Sequence, residues 1–145
     1  MINIQLIQVE KIRNLRNKIL RPGLPIETVF YDCDKDITCF HVAAIELDKV
    51  IGTATFYKIS HISCKGENVY RLRGMAVENN YQGQGIGRKI LDFAFLELKK
   101  RNTDFLWCNA RIIALDFYKK LNFKIYGEIF NIKDIGPHYV MYIKI

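Results

Sequence analysis

The stretch MAVENNYQGQGIGR, from Met75 to Arg88, decides how this chain is organised. It begins as the end of an apolar run that predicts a strand, and two asparagines then interrupt the run. Three glycines within five residues, Gly83, Gly85 and Gly87, lead into a helical pattern that starts at Ile86. Glycine leaves backbone N–H groups accessible, and a helix N-terminus attracts anions. The stretch therefore predicts a strand, loop and helix unit that binds a phosphate or pyrophosphate.

The spacing of these glycines excludes two common phosphate loops. A dinucleotide-binding G-x-G-x-x-G motif would need its third glycine at Arg88 or Ile90, and no register fits G-x-x-x-x-G-K-[ST]. The pattern that fits is Q-x-x-G-x-G, at Gln82, Gly85 and Gly87. It resembles the pyrophosphate loop of the GNAT superfamily, the CoA-dependent N-acetyltransferases. A glycine-rich turn without a ligand is the structural alternative.

Composition limits the classes of protein to consider. With 145 residues, of which 50% are hydrophobic, the chain is expected to form a single domain over residues 1–145. The net charge of +7 favours an anionic ligand such as CoA, and the scattered basic residues argue against a nucleic-acid partner. No apolar run is long enough for a membrane span, and no signal-peptide core is present. Four cysteines without zinc spacing indicate free thiols, no metal site and a cytoplasmic location.

Hydrophobic periodicity predicts the order β-α-β-β-β-α-β-α-β-β. The strands are expected at residues 2–6, 39–47, 50–59, 69–77, 104–110, 123–132 and 138–145, and the helices at 9–20, 86–101 and 112–121. This is a mixed α/β or α+β domain. The order is also that of the GNAT fold. The resemblance implies a mostly antiparallel sheet of about seven strands, flanked by helices, with one parallel pair at the CoA cleft.

A second segment, ALDFYKKLNF from Ala114 to Phe123, strengthens the resemblance. It matches the superfamily segment A-x-x-F-Y-x-K-x-G-F except at Asn122, where glycine is usual. Asparagine also tolerates the left-handed conformation required at a helix end, so the departure is mild. Two motifs in the right order identify the chain as a member of the superfamily. Further short segments resemble a bacterial subgroup, which implies no particular acceptor.

The resemblance assigns roles on the CoA side. Backbone groups of Met75, Ala76 and Val77 would contact the pantetheine arm and the acetyl carbonyl, beside a neighbouring strand that diverges to make room. Asn109 would contact the pantetheine, because Arg111 occupies the position where the family often has asparagine. Tyr118 would protonate the departing CoA thiolate, and its structural alternative is a packed core residue. The pyrophosphate would be held by Gln82, Gly83, Gln84, Gly85, Ile86, Gly87 and Arg88.

The acceptor side is less determined by the sequence. Arg73, Glu128 and His138 are expected to border it, since strand alternation places Arg73 on one face with Met75. The general base remains open between His138, Glu128 and a water relay, because Arg71 stands near the position where many members carry glutamate. Acidic residues at 32, 34 and 36 would either attract a cationic acceptor or lie in a solvated loop. Trp107 and Cys108 are interpreted as core residues.

Together these features predict an acetyltransferase that moves acetyl from acetyl-CoA to an amine by direct attack in a ternary complex. The enzyme would be a monomer or homodimer, without nucleic-acid or membrane partners. The main alternative is a CoA-binding module without turnover, which the missing strand glutamate favours. A third alternative is a basic nucleic-acid binder, whose affinity would fall steeply with salt.

Overall fold

A computed structural model describes residues 1–145 and confirms the predicted order of elements. All seven strands join one sheet in the order β1-β2-β3-β4-β5-β7-β6, and only β4 and β5 run parallel. The strands are β1 (Asn3–Ile7), β2 (Phe40–Glu46), β3 (Lys49–Lys58), β4 (Val69–Val77), β5 (Phe105–Arg111), β6 (Lys124–Ile132) and β7 (Gly136–Lys144), and the helices are α1 (Arg13–Leu20), α2 (Ile86–Lys100) and α3 (Leu115–Lys120).

The core lies between α2 and the sheet. Helix α2 buries one apolar face, including Ile86, Ile90 and Leu98, against strands of the main core cluster. Each such side chain stabilises the fold by about 1.5–3 kcal/mol. The close approach depends on Gly52 in β3, where an added Cβ would lie 2.9 Å from Ile86 and from Ile90. None of the helices combines the length and apolar character needed to cross a membrane.

The parallel pair opens part of the way along its length. Pairing runs from Val69 opposite Phe105 to Leu72 opposite Cys108, although β4 continues to Val77. Beyond Leu72, one edge of β4 therefore has no strand partner for its backbone groups. Unpaired backbone groups need another hydrogen-bond partner, so this opening is suited to an extended ligand.

A β-bulge shapes β4 at the opening. Thr53 and Thr55 of β3 pair with Ala76 and Arg73 of β4. An interval of two residues on β3 therefore matches an interval of three residues on β4. The extra residue is accommodated at Gly74, whose φ of +64° is left-handed. The bulge interrupts the regular alternation from which Arg73 and Met75 were expected to share a face.

The loop between α1 and β2 leaves Asp32 and Asp36 exposed, as in the solvated loop considered above, but not Asp34. It contains two short 3-10 turns, Ile26–Val29 and Asp32–Lys35. Asp34 in the second turn is buried in an ion pair with Arg16 of α1, so it does not face an acceptor. After α3, Asn122 adopts φ +72°, as expected for the residue that replaces glycine there.

Candidate functional site

Two neighbouring cavities open where β4 and β5 diverge. The larger, of about 670 Å³, lies between the end of β4, the glycine loop and α3. The smaller, of about 170 Å³, lies between β4, β5 and the start of β7. They share a wall formed by Leu20, Met75, Arg111, Ala114 and Phe117. The two cavities therefore adjoin each other along these residues.

The glycine loop forms one side of the larger cavity. Gly83 and Gly85 have φ angles of +76° and +80°, and no atom lies within 4 Å of a Cβ built on either residue. Gly85 also precedes the first turn of α2, whose N–H groups have no partner within the helix. Open space and free donors at a 15-residue helix N-terminus can accommodate an anion such as pyrophosphate.

Side chains of the loop hold its own backbone. Gln82 donates from Nε2 to the carbonyl of Val77 at 3.0 Å, and Gln84 donates to the carbonyl of Asn80 at 3.0 Å. Gln82 still lines the larger cavity, whereas Gln84 lines neither cavity. The two amides therefore fix the loop, and the remaining loop residues face the cavity: Gly83, Gly85, Ile86, Gly87 and Arg88.

Gly87 has a structural role that the motif does not reveal. A Cβ at this position would lie 2.9 Å from Cζ of Phe117 in α3. Such a distance is too short for unstrained packing, so glycine lets α2 and α3 approach each other. Gly87 thus allows the start of α2 to pack closely against α3, the helix that carries Tyr118.

Met75, Ala76 and Val77 line the larger cavity along the unpaired edge of β4. An extended chain placed there can form backbone hydrogen bonds in the manner of an added strand. Asn109 lies elsewhere: it lines the smaller cavity and is absent from the wall of the larger one.

Tyr118 is packed in the core and also lines one of the two cavities. Only 5% of its surface is exposed, and its ring packs edge-on against Phe117 and Phe123 at 5.0 and 5.1 Å. The residue nevertheless lines the smaller cavity. Burial, and then the neighbouring Cys108 thiol, raises the pKa of Tyr118 well above its usual value. The phenol therefore keeps its proton at neutral pH, which a general acid requires before it acts.

Cys108 is buried, in agreement with its interpretation as a core residue. Burial raises the pKa of its thiol to about 12, despite the opposing effect of Arg71. Since the thiolate is the reactive form of cysteine, this residue is a poor nucleophile at neutral pH. Trp107 is likewise buried, and its indole donates to the carbonyl of Ile59 at 3.0 Å.

His138 lies at the start of β7 and lines the smaller cavity, with 3% of its surface exposed. Its Nδ1 is 2.7 Å from the carbonyl oxygen of Gly136. A carbonyl only accepts hydrogen bonds, so Nδ1 carries a proton, and in the neutral imidazole the lone pair is then on Nε2. The side chain is thus held in a tautomer that can accept a proton. Glu128, in contrast, is exposed on β6 and lines neither cavity.

Arginines dominate the polar lining of the smaller cavity. Arg73, which the sequence analysis expects at the acceptor side, lines this cavity together with Arg21, Arg71 and Arg111. No carboxylate lines this cavity. Sequence reasoning treated Arg71 and Arg111 only as departures from the family pattern. The i, i+2 spacing of Arg71 and Arg73 on one strand was the available signal that two cations project from the same element.

Comparison with known proteins relates this geometry to a family. A model of the Acetyltransferase (GNAT) family matches residues 9–123. The uncharacterized N-acetyltransferase YitI of Bacillus subtilis (strain 168) is 35% identical over 142 residues, which cover 98% of this chain and 95% of the relative.

Two solved structures share the fold at low sequence identity. Escherichia coli ElaA has a TM-score of 0.80 at 16% identity, over 98% of this chain and 99% of that chain. An aminoglycoside 6'-N-acetyltransferase complexed with coenzyme A has a TM-score of 0.72 at 15% identity, over 98% of this chain and 96% of that chain.

Proposed function

This chain belongs to the GNAT family of acetyltransferases, and on that premise we propose which of its residues carry out the reaction. It is an N-acetyltransferase that moves acetyl from acetyl-CoA to an amine. The observation that best supports the assignment of residues is the opening between β4 and β5. One cavity there has the features of an anion and thioester-arm site, and the adjoining one contains a proton donor and a proton acceptor.

We propose that the larger cavity holds acetyl-CoA. Backbone N–H groups of Gly83, Gly85 and the first turn of α2 would bind the pyrophosphate, with Arg88 adding a charge-assisted contact. The unpaired edge of β4, from Met75 to Val77, would bind the extended arm. This arrangement directs the thioester toward the wall that the two cavities share.

The smaller cavity would hold the amine, which must be neutral to attack the carbonyl carbon of the thioester. Nε2 of His138 would accept the proton that the nitrogen loses, directly or through a water molecule. Backbone N–H near Met75 would stabilise the oxyanion. When the C–S bond breaks, the Tyr118 hydroxyl would give its proton to the thiolate. Glu128 is left out of this scheme because it is exposed and outside both cavities.

We also propose that residues 1–145 act as a single catalytic domain in the cytoplasm, as a monomer or homodimer. All seven strands belong to one sheet, and the four cysteines are free thiols, as in a reducing compartment. The alternative of a CoA-binding module without turnover is less favoured, because Tyr118 and His138 line the same cavity.

Release of free CoA thiol from acetyl-CoA across a panel of amines tests the proposal. Tyr118→Phe keeps the ring packing and removes the proton, so turnover should fall by about 10²–10⁴-fold while CoA affinity stays unchanged. His138→Gln should also lower turnover without changing CoA affinity. Wild-type turnover in Tyr118→Phe, measured where chemistry limits the rate, would refute the role of this residue.

The CoA site has its own test, with a matched control. Gly85→Glu places a negative side chain in the open space of the loop and should abolish CoA binding measured by calorimetry. Gly127→Glu adds the same charge at a glycine with a similar φ of +75° and equally open surroundings, but outside both cavities. Equal CoA affinity in the two folded variants would reject the glycine loop as the pyrophosphate site.

A further inference from the structure

The smaller cavity concentrates positive charge. Of the 17 residues that line it, four are arginines and none is Asp or Glu. Arginine remains protonated in proteins, so the cavity carries several permanent charges in a volume of only about 170 Å³. The four arginines are Arg21, Arg71, Arg73 and Arg111.

None of these four guanidinium groups forms a salt bridge within the chain. Arg71 makes one long contact from Nη1 to the Tyr57 hydroxyl at 3.4 Å and lies 4.8 Å from the centre of the Trp107 ring. Its Nε is buried without a hydrogen-bond partner. Most of the donors of Arg71 are therefore left without a protein acceptor.

Arg73 and Arg111 also leave most of their hydrogen-bond donors without a protein acceptor. Arg73 lies over the ring of Tyr31, 4.0 Å from the centroid, and makes no side-chain hydrogen bond. Arg111 uses one donor, from Nη2 to the carbonyl of Leu20 at 3.0 Å. Burial, and then the proximity of Arg21, lowers the pKa of Arg111. Its charge is thus held at a cost that a bound anion would offset.

A guanidinium recognises carboxylate or phosphate through paired, charge-assisted hydrogen bonds. The cavity is smaller than the roughly 300–1,000 Å³ typical of sites for drug-sized ligands. We propose that the acetyl acceptor is a small amine that also carries an anionic group, carboxylate or phosphate, bound by Arg71, Arg73 and Arg111. This inference rests on the proposed function, since it names the substrate class of the same cavity.

The arginines would also prepare the amine for attack. A nearby positive charge disfavours an ammonium and lowers its pKa, so a larger fraction of the bound amine is neutral. This effect gives a physical reason for arginine at position 71, where the family resemblance leads one to expect a glutamate base. It also disfavours polycationic acceptors, whose additional ammonium groups would face the same charges.

Matched amine pairs test the inference with the wild-type enzyme. β-Alanine and β-alaninamide have nearly the same shape and differ in one negative charge. The second pair, phosphoethanolamine and ethanolamine, differs by a whole phosphate group, which adds a charge of about −1.5 to −2. Thiol release should show kcat/KM at least about 10-fold higher for one member that carries the anionic group than for its partner that lacks it. The pair with the larger ratio identifies carboxylate or phosphate as the anion. A diamine such as 1,5-diaminopentane should be the poorest substrate.

Variants then connect the preference to the arginines. Arg73→Gln and Arg71→Gln should each reduce the ratio within the preferred pair by about 10-fold or more, mainly through KM, and leave CoA affinity unchanged. Arg73→Lys should retain part of the preference, because it keeps the charge. Lys58→Gln removes one positive charge from an exposed position outside the cavity and should leave the ratio unchanged.

The outcomes separate this inference from the proposed function. Turnover of uncharged or cationic amines that equals or exceeds turnover of the anionic ones would overturn the inference and leave acetyl transfer standing. An unchanged ratio in folded Arg71→Gln and Arg73→Gln would do the same. CoA binding without thiol release for any amine would instead contradict the proposed catalytic roles.

Discussion

Arg16 and Arg73 contact the same aromatic ring, that of Tyr31, but their charges are compensated in different ways. Arg16 is fully buried, and both of its Nη atoms bond to Asp34, at 2.7 and 2.8 Å. It also donates to the carbonyl of Val29 and the hydroxyl of Thr55. Arg73 is half-buried and has no carboxylate partner.

The difference distinguishes a structural arginine from one available to a ligand. The buried charge of Arg16, with its partners in place, holds α1, the following loop and β3 together. Its contribution to the free energy of unfolding depends on the carboxylate of Asp34 remaining beside it. A group of guanidinium charges around an open cavity has no such partner in the chain. Removing the partner of Arg16 should therefore lower the free energy of unfolding of the protein. Binding of an anion at Arg73 should instead raise it.

The largest effect is expected from Asp34→Asn, which leaves the Arg16 charge buried without its counterion. Such changes cost about 3–5 kcal/mol in the free energy of unfolding. Arg73→Gln should cost less than about 1 kcal/mol, since no ion pair is lost. Urea denaturation of both variants checks the comparison. A larger loss for Arg73→Gln than for Asp34→Asn would mean that the two arginines have been assigned the wrong roles.

An intermediate effect should follow from filling the smaller cavity with an anion that cannot react. Succinate at 100 times its dissociation constant should raise the free energy of unfolding by about 2.7 kcal/mol, because it binds only the folded state. The Arg71→Gln, Arg73→Gln double variant should lose most of this stabilisation at the same succinate concentration. Thermal denaturation at matched ionic strength provides the measurement. Equal stabilisation of wild type and double variant would place the anion outside this cavity.

The smallest effect concerns pH at the Arg16 region. His41 Nδ1 lies 2.7 Å from Oγ1 of Thr55, which also accepts a bond from Arg16. Burial lowers the pKa of His41 below its usual 6.5, so the unfolded chain binds a proton that the folded chain excludes. Stability should therefore fall as pH decreases below about 6.5, by at most about 1.4 kcal/mol per pH unit.

His41→Asn should flatten this part of the stability profile, measured by urea denaturation between pH 7 and 5. An unchanged slope would show that the proton uptake belongs to another group. The charged groups that face His41 are Glu10, Arg13, Arg16 and Asp34.

Much of the fold and part of the CoA site could be predicted because their signals are contiguous in the sequence. The order of elements follows from hydrophobic periodicity, and the glycine loop follows from one motif at the start of α2. Gly83 and Gly85 adopt the left-handed backbone, which glycine reaches more readily than any other residue. Gly87 was placed correctly in the loop, but its contact with Phe117 depends on the packing of a helix nearly thirty residues further along the chain.

The acceptor side could be predicted only in part. Arg73 and His138 were expected near it, and both line the smaller cavity. The expectation for Arg73 used strand alternation, which the bulge at Gly74 interrupts. Glu128 was selected from the same pair of final strands as His138. Its exposure depends on how β6 pairs with β7 across a register shift between Tyr126 and Phe130. The available signal for that shift was Gly127, a glycine inside the strand pattern, which adopts a φ of +75°.

The sequence by itself determined the family resemblance, the order of strands and helices, and the position of the glycine loop. These features depend on backbone preferences and on side-chain patterns within about twenty residues. The tertiary structure alone decided which charges are paired. Asp34 neutralises Arg16 across 18 residues, while four other arginines meet around one cavity from the end of α1, β4 and β5 without a carboxylate among them. Electrostatic interactions depend on distance in space and on burial, and neither quantity can be read from the spacing of residues along the chain.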